Sequence, residues 1–174
     1  GGFNPANAIT TTPRDLTVDD AAALRRASAV SRLAPLTVGT SEISFGGRLR
    51  EIIVAGSTSD FIPIRNFELA QGRGLPEEDW NRGSSVAVIG SKIREELFGN
   101  ESAVGQLIRV GDRRLRIVGV LKPVGQGLGM NTDELVIVPV SLAQAMFNSN
   151  TLFRILVEAK SREAIPEAKE QVMD

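Results

Sequence analysis

The chain has 174 residues, 42% apolar and 24% charged, with a net charge of −1. By length this is one globular domain, large enough to bury a core without staples, and its near-zero charge supplies no field to draw in nucleic acid or an anionic membrane surface. Cys and His are both absent, which removes thiol nucleophiles, Cys/His zinc sites and the usual near-neutral general base.

No apolar run approaches the roughly 18–20 residues that span a bilayer, and the chain does not open with the basic and apolar regions of a signal peptide. In the polar opening, Ile9-Thr-Thr-Thr12 offers a first strand. Thr17-Val-Asp-Asp20 then matches a capping box. Ala21, Leu24 and Ala27 follow at helical spacing, predicting a helix over 17–31 that Pro35 keeps from continuing. Two β-prone runs, 36–45 and 48–55, flank Gly46-Gly47, a hairpin signal because tight hairpin turns need positive φ. Phe61-Ile-Pro-Ile64 and Phe67-Glu-Leu69 are short apolar pieces of no assigned type. Pro76-Glu-Glu-Asp-Trp80 reads as one helical turn, with Pro in its first turn and acids near its positive end.

The run 85–89 predicts a continuous apolar strand. Ser91 is placed as the cap of a helix reaching Phe98, and Gly99 suits its left-handed exit. A second hairpin, 106–110 and 113–121, turns at Gly111-Asp112. In it Ile108, Val110, Leu115 and Ile117 alternate with Arg109, Arg114 and Arg116, so one face is apolar and the other basic. The stretch 123–133 is the loosest. After it come a strand over 134–140, a helix from Ser141 to Phe147 and a strand over 152–157. A closing helix over 161–173 carries Pro166 in its first turn and Ile165, Ala168 and Val172 on one face. There is no internal repeat and no low-complexity segment.

Few residues suggest chemistry. Gly125-Gln-Gly-Leu-Gly129 is rich in glycine, but a phosphate cradle would have to open a helix, and here a strand follows. The chain contains no Gly-x4-Gly-Lys-Ser/Thr. A surface loop is the favoured reading. Glu77, Glu78 and Asp79 on one turn point in different directions, which suits a solvated turn better than a metal site. Asp79 stands apart as a brace for the backbone near Arg73. Ser84, Ser85 and Ser91 have no histidine to activate them. Arg109, Arg113, Arg114 and Arg116 form a basic stripe without neighbouring aromatics, read first as a solvated strand face and second as a docking face. Asn100-Glu-Ser102 fits a glycosylation sequon, a pattern common by chance. Phe61, Phe67, Trp80, Phe98 and Phe147 read as packing residues.

Taken in order, one series of blocks is more informative than any of them alone. It runs Val30-Ser-Arg-Leu-Ala-Pro35, Val54-Ala-Gly56, Phe61, Leu69-Ala-Gln-Gly72-Arg73 with Asp79, Val88-Ile-Gly90, Leu97-Phe-Gly99, Gly105-Gln-Leu-Ile108, Val118-Gly-Val-Leu121 and Ile137-Val-Pro-Val-Ser141. In order and spacing, over about 16–173, it resembles the MacB-like periplasmic core domain of FtsX-like ABC transporter permeases. The departure is Val140, where that pattern often carries an aromatic.

The resemblance implies an α+β fold: a porter-like βα part from 1–60 plus 150–174, interrupted by a smaller β-rich inserted part over 61–149. It implies no catalytic residue, no cofactor and no metal, with ATP hydrolysis in a cytoplasmic domain outside this chain. The domain would stand on the periplasmic or extracellular side of a bacterial inner membrane and pass on ATP-driven motion to export substrate or act on a periplasmic partner. Its partners would be its own transmembrane helices, the cytoplasmic ATP-binding domain and a periplasmic adaptor, with a dimer in the full transporter and no nucleic acid.

Gly56, Gly72, Gly90, Gly99, Gly105 and Gly119 are the expected backbone-shaping positions. Arg73–Asp79 is the expected structural ion pair, and Gly125, Gly127 and Gly129 the expected partner-contacting or hinge loop. Two other readings compete: a module that docks an adaptor, lipoprotein or cell-wall hydrolase without a transport role, and an enzyme using the acids around Asp79, which the absence of His and Cys disfavours.

Overall fold

The computed structural model describes residues 16–27, 29–124 and 131–160. The expected first strand at 9–12 and the closing helix at 161–173 lie outside them.

Helix α1 (Val18–Arg25) starts as a capping box: Asp20 N–H donates to Thr17 Oγ1 at 3.2 Å, and Thr17 N–H donates to the Asp20 carboxylate at 3.0 Å. It is shorter than the 17–31 expected. Strand β1 (Val30–Phe45) has already begun at Val30, where cross-strand pairing outweighs the helical spacing of the sequence. Pro35 lies within that strand. It is tolerated because this half of β1 pairs only with β8 (Arg154–Ala159) among the described strands, leaving the proline on an edge. There Ser57 Oγ donates to the Pro35 carbonyl at 2.6 Å.

The second half of β1 turns at Gly46-Gly47 into β2 (Arg48–Ser57), with Phe45 opposite Arg48 and both glycines at positive φ, +54° and +83°. Then come α2 (Phe61–Ile64), β3 (Leu69–Gly72), β4 (Val86–Ile89), α3 (Ser91–Phe98), β5 (Leu107–Val110) and β6 (Arg113–Leu121). The chain closes with a 3-10 turn (Thr132–Glu134), β7 (Leu135–Pro139), α4 (Val140–Phe147) and β8. Gly90 and Pro139, rather than Ser91 and Ser141, occupy the cap positions of α3 and α4. No helical turn forms over 76–80. The turn begins one step later, where Arg82 N–H donates to the Asp79 carbonyl and Asn81 N–H to its carboxylate, both at 2.9 Å. Asp79 thus organises the turn that follows it.

The pairings β1–β2, β2–β7, β7–β4, β4–β6, β6–β5 and β5–β1 return to their starting point, so six strands close a ring. β2–β7 and β4–β6 are parallel and the other four pairs antiparallel. All six strands contribute to one buried cluster, including Ile43, Val54, Ile89, Ile108, Leu115, Ile117 and Val136, which α3 and α4 cap with Ile93, Phe98 and Ala143. A second cluster sits under α2 and a third around α1 and β8. The result is an α+β fold in which a ringed sheet carries β1 and β8 outward as an extension.

Candidate functional site

The block Gly72-Arg73 is read by backbone geometry. β3 runs antiparallel to β6, with Gly72 opposite Gly119 and Arg73 N–H donating to the Val118 carbonyl at 2.8 Å. The two backbones pass so closely that a Cβ on Gly119 would overlap the Arg73 carbonyl oxygen. A Cβ on Gly72 would overlap the Val118 oxygen and lie 2.9 Å from Gly119 Cα. Gly72 also has a φ of +70°. β6 shifts register against β4 just here, between Ala87 and Val88, so that one residue of β6 is passed over at Val118.

The expected ion pair is not formed. Among the ion pairs of the described residues none joins Arg73 to Asp79. The Asp79 carboxylate instead accepts from Asn81 N–H, and Arg73 bonds through its backbone N–H to the Val118 carbonyl. Nearness in sequence brought the two together on paper; the turn at 79–82 takes the carboxylate for its own amide.

The other glycines fall into two kinds. Gly56 and Gly90 lie where a Cβ would clash, 2.8 Å from Thr37 Cγ2 and 2.6 Å from the Asp133 carbonyl carbon respectively. Gly99 (φ +59°) and Gly105 (φ +92°) face open space. Gly125, Gly127 and Gly129 lie outside the described residues.

The two ends of that glycine loop are described, and both are tied down. On one side Val124 N–H donates to the Asp133 carboxylate at 2.8 Å. On the other, Asn131 Nδ2 donates to Glu134 Oε2 at 2.6 Å, and the Asn131 side chain accepts from Asp133 N–H. Glu134 is a hub. It pairs with Arg50 of β2 and, at 3.6 Å, with Lys92 of α3, while Arg50 reaches Glu96 of α3 at 2.7 Å. The base of the loop is therefore fastened to the ring and to α3 by charge-assisted bonds. Beside it opens a surface cleft lined by Thr40, Arg50, Glu51, Ile53, Asn131 and Glu134. Sequence reading missed Glu134 and Arg50, since residues 84 positions apart carry no local signal of their meeting.

A second feature is the outer face of the ring. Cross-strand partners run Arg114, Arg109, Ser44 and Leu49 across β6, β5, β1 and β2. On neighbouring rows Leu107 faces Arg116, Glu42 faces Glu51 and Thr40 faces Ile53. The apolar side chains here are open, with Leu49 65% and Leu107 48% exposed. Arg109 has a loose pair with Asp112 at 3.8 Å, and Arg116 donates to the Gly105 carbonyl at 2.7 Å. Among the described residues Glu42, Glu51, Arg113 and Arg114 take part in none of the ion pairs. Like charges directly opposite on a sheet are unfavourable, and this face carries two such pairs of opposite sign, Arg109–Arg114 and Glu42–Glu51. Two inter-strand steps and one side-chain repeat set them about 12 Å apart along the sheet.

Among the described residues no group of three or more Asp, Glu, His or Cys could hold a metal, and Glu78 spends its carboxylate on the hydroxyl and N–H of Ser84. What this arrangement offers is shape, rigidity and surface. No helix of the described residues is long and apolar enough to cross a membrane.

Solved structures share this architecture, and other proteins are similar to the chain in sequence. The fold matches the extracellular domain of the noncanonic ABC-type transporter YknZ from Gram-positive bacteria, with a TM-score of 0.77 at 22% identity, covering 92% of this chain and 82% of that one. It matches the periplasmic region of MacB from Actinobacillus actinomycetemcomitans with a TM-score of 0.77 at 19% identity, covering 98% and 77%. In sequence it is 27% identical over 156 residues to the pyoverdine export ATP-binding/permease protein PvdT of Pseudomonas aeruginosa, covering 88% of this chain and 24% of that protein. It is 30% identical over 151 residues to the macrolide export ATP-binding/permease protein MacB of Chlorobium luteolum, covering 86% and 23%. The chain thus spans about a quarter of the length of these relatives. The model of the MacB-like periplasmic core domain matches residues 2–174, and the chain belongs to that family.

Proposed function

We propose that this chain is the extracytoplasmic part of an ABC transporter permease and that it transmits ATP-driven motion across the membrane, for export of a substrate or for action on a periplasmic partner. The observation that carries this is the closed six-strand ring with one continuous core. A close-packed body of this kind moves as a unit, so a tilt applied at its base reappears at its far end. Family membership supplies the setting: a periplasmic domain within proteins named as ATP-binding/permeases. In this reading the ATP-binding domain and the membrane helices lie outside the chain, and two copies work together in the transporter.

The expected division into a porter-like part (1–60 plus 150–174) and an inserted part (61–149) belongs to the same proposal. The return of β8 to the first half of β1 supports it, while the ring, which joins β1 and β2 to β4–β7, crosses the boundary at residue 60. Export by the reconstituted parent permease is the test. Cross-linking this domain to its copy should abolish ATP-driven export while leaving ATP binding intact, whereas full export from the cross-linked protein would overturn the reading.

A second reading, a docking module without a transport role, is favoured by the outer ring face. Exposed Leu49, Leu107 and Ile53 interleave there with two like-charge pairs, of which only Arg109 has an ion partner, the exposed Asp112, a composition suited to a partner of inverse charge pattern. The glycine loop, fastened at both ends, is the second candidate contact. Capture of a purified adaptor, lipoprotein or cell-wall hydrolase by the domain, lost in Arg109→Glu/Arg114→Glu, together with undiminished export by that variant of the parent permease, would favour docking alone.

A further inference from the structure

A second pair of arginines lies away from the ring face, at the junction of α2 and β8. Phe61, Ile62 and Ile64 of α2 are buried against Ala34, Leu36 and Leu156 of β1 and β8. That packing sets the C-terminal end of α2, which is Arg65, over the start of β8, where Arg154 pairs with Leu36. Each guanidinium lies over an aromatic ring: the Arg65 carbon is 5.7 Å from the Phe67 centroid and the Arg154 carbon 4.9 Å from the Phe153 centroid. Phe67 is in turn met edge-on by Phe61 at 6.0 Å.

We propose that Arg65 and Arg154 form a binding site for an amphiphilic oxyanion, its phosphate or carboxylate head held between the two guanidinium groups and its apolar portion laid along Phe153. Five observations carry this. The rings cover one face of each guanidinium and leave the N–H edges for an oxyanion fork. No ion pair among the described residues involves either arginine. The acids nearest Arg65 in sequence are engaged elsewhere: Glu68 with Lys122 at 3.3 Å, and Asp60 with Leu33 N–H at 3.2 Å. Phe153 is 49% exposed beside this charge, one of few large apolar side chains so open. Finally, Arg65 is half-buried, and burial first and the charge of Arg154 second lower its pKa. A half-buried Arg65 with the Arg154 charge beside it is a standing cost that one bound anion relieves. The inference stands apart from the transporter reading and does not depend on it.

The test is isothermal titration of this chain with two probes, dodecyl phosphate below its micelle concentration and inorganic phosphate. Dodecyl phosphate should bind at least about tenfold more tightly, because part of its chain leaves water against Phe153. Arg65→Gln and Arg154→Gln should each weaken it by about tenfold or more. Phe153→Ala should weaken dodecyl phosphate and leave inorganic phosphate unchanged. Arg109→Gln/Arg114→Gln, on the other basic face, should change neither.

Arg154→Gln decides the matter if Arg65→Gln fails to fold by thermal scan. Undiminished binding in Arg154→Gln, or an equal loss in the Arg109/Arg114 variant, overturns the site. Equal affinity for both probes overturns its amphiphilic character. Flotation with phosphatidylglycerol vesicles against phosphatidylcholine vesicles identifies the source. Flotation that depends on Arg154 means a head group in a bilayer, and dodecyl phosphate binding without flotation means a free amphiphile.

Discussion

Replacing Gly119 by alanine probes the close approach of β3 to β6. The new Cβ would overlap the Arg73 carbonyl oxygen and lie 3.0 Å and 3.2 Å from the Arg73 carbonyl carbon and nitrogen. All three atoms are backbone, so no side-chain rotation can relieve the clash and β3 must lift from β6. Lifting it breaks the Arg73 N–H bond to Val118, now 2.8 Å, and the Gly72–Gly119 pairing. Two lost hydrogen bonds and the residual overpacking together cost about 3 kcal/mol. For a domain of this size that lowers Tm by ~6–12 °C.

Arg73→Ala is the control, since only its backbone makes the contact and its side chain is exposed. It should stay within ~0.5 kcal/mol of the parent. Differential scanning calorimetry or urea titration of both variants gives the comparison. A Gly119→Ala protein melting within 1–2 °C of the parent, a shift of well under about 1 kcal/mol, would refute the close-approach account. A large loss in Arg73→Ala would restore a structural role for its guanidinium.

Three further outcomes follow from the same geometry. Ile89→Ala, at a side chain with no exposed surface inside the ring, should cost about 3–4 kcal/mol, whereas Leu49→Ala, 65% exposed on the outer face, should cost less than ~0.5 kcal/mol. Both are read by urea titration. A double-mutant cycle on Arg50→Ala and Glu134→Ala should give a coupling of about 1 kcal/mol that shrinks in 0.5 M salt, because both side chains retain some exposure. No coupling at low salt would mean that Glu134 does not fasten the loop. Gly46→Asn should leave stability within ~0.5 kcal/mol, since Asn tolerates the left-handed φ of +54° in that hairpin turn. A loss beyond 2 kcal/mol would show that the turn needs more than its dihedral.

Local chemistry made much of this fold legible in the sequence. Both hairpins could be placed because alternation and turn residues act over a few positions: Gly46-Gly47 and Gly111-Asp112 turn where expected. The capping box at Thr17 is equally local. What escaped was set at a distance. The helix predicted over 17–31 exceeds α1, which ends at Arg25. Only pairing between Val30 and Ala159, far along the chain, turns that segment into strand. Ring closure depends on β5 meeting β1, Ile43 against Val110, which no window of sequence contains.

The candidate site divided in the same way. The glycines at 72 and 119 were picked out by pattern, but the reason for them, two backbones in mutual contact, is tertiary. Arg73 and Asp79 share a neighbourhood in sequence yet spend their groups separately. Arg50 with Glu134 and Arg65 with Arg154 join segments that nothing in the sequence links.

The account turns most on whether this domain moves as one body when ATP is bound. Pulsed electron–electron distances in the reconstituted parent permease answer that directly, with spin labels at exposed Leu49 and Leu107. The account predicts that the Leu49–Leu107 distance within one domain stays fixed between ATP-bound and nucleotide-free states, while the Leu49–Leu49 distance between the two copies shifts. A changed distance inside the domain, or no change between the copies, would contradict transmission by a rigid body.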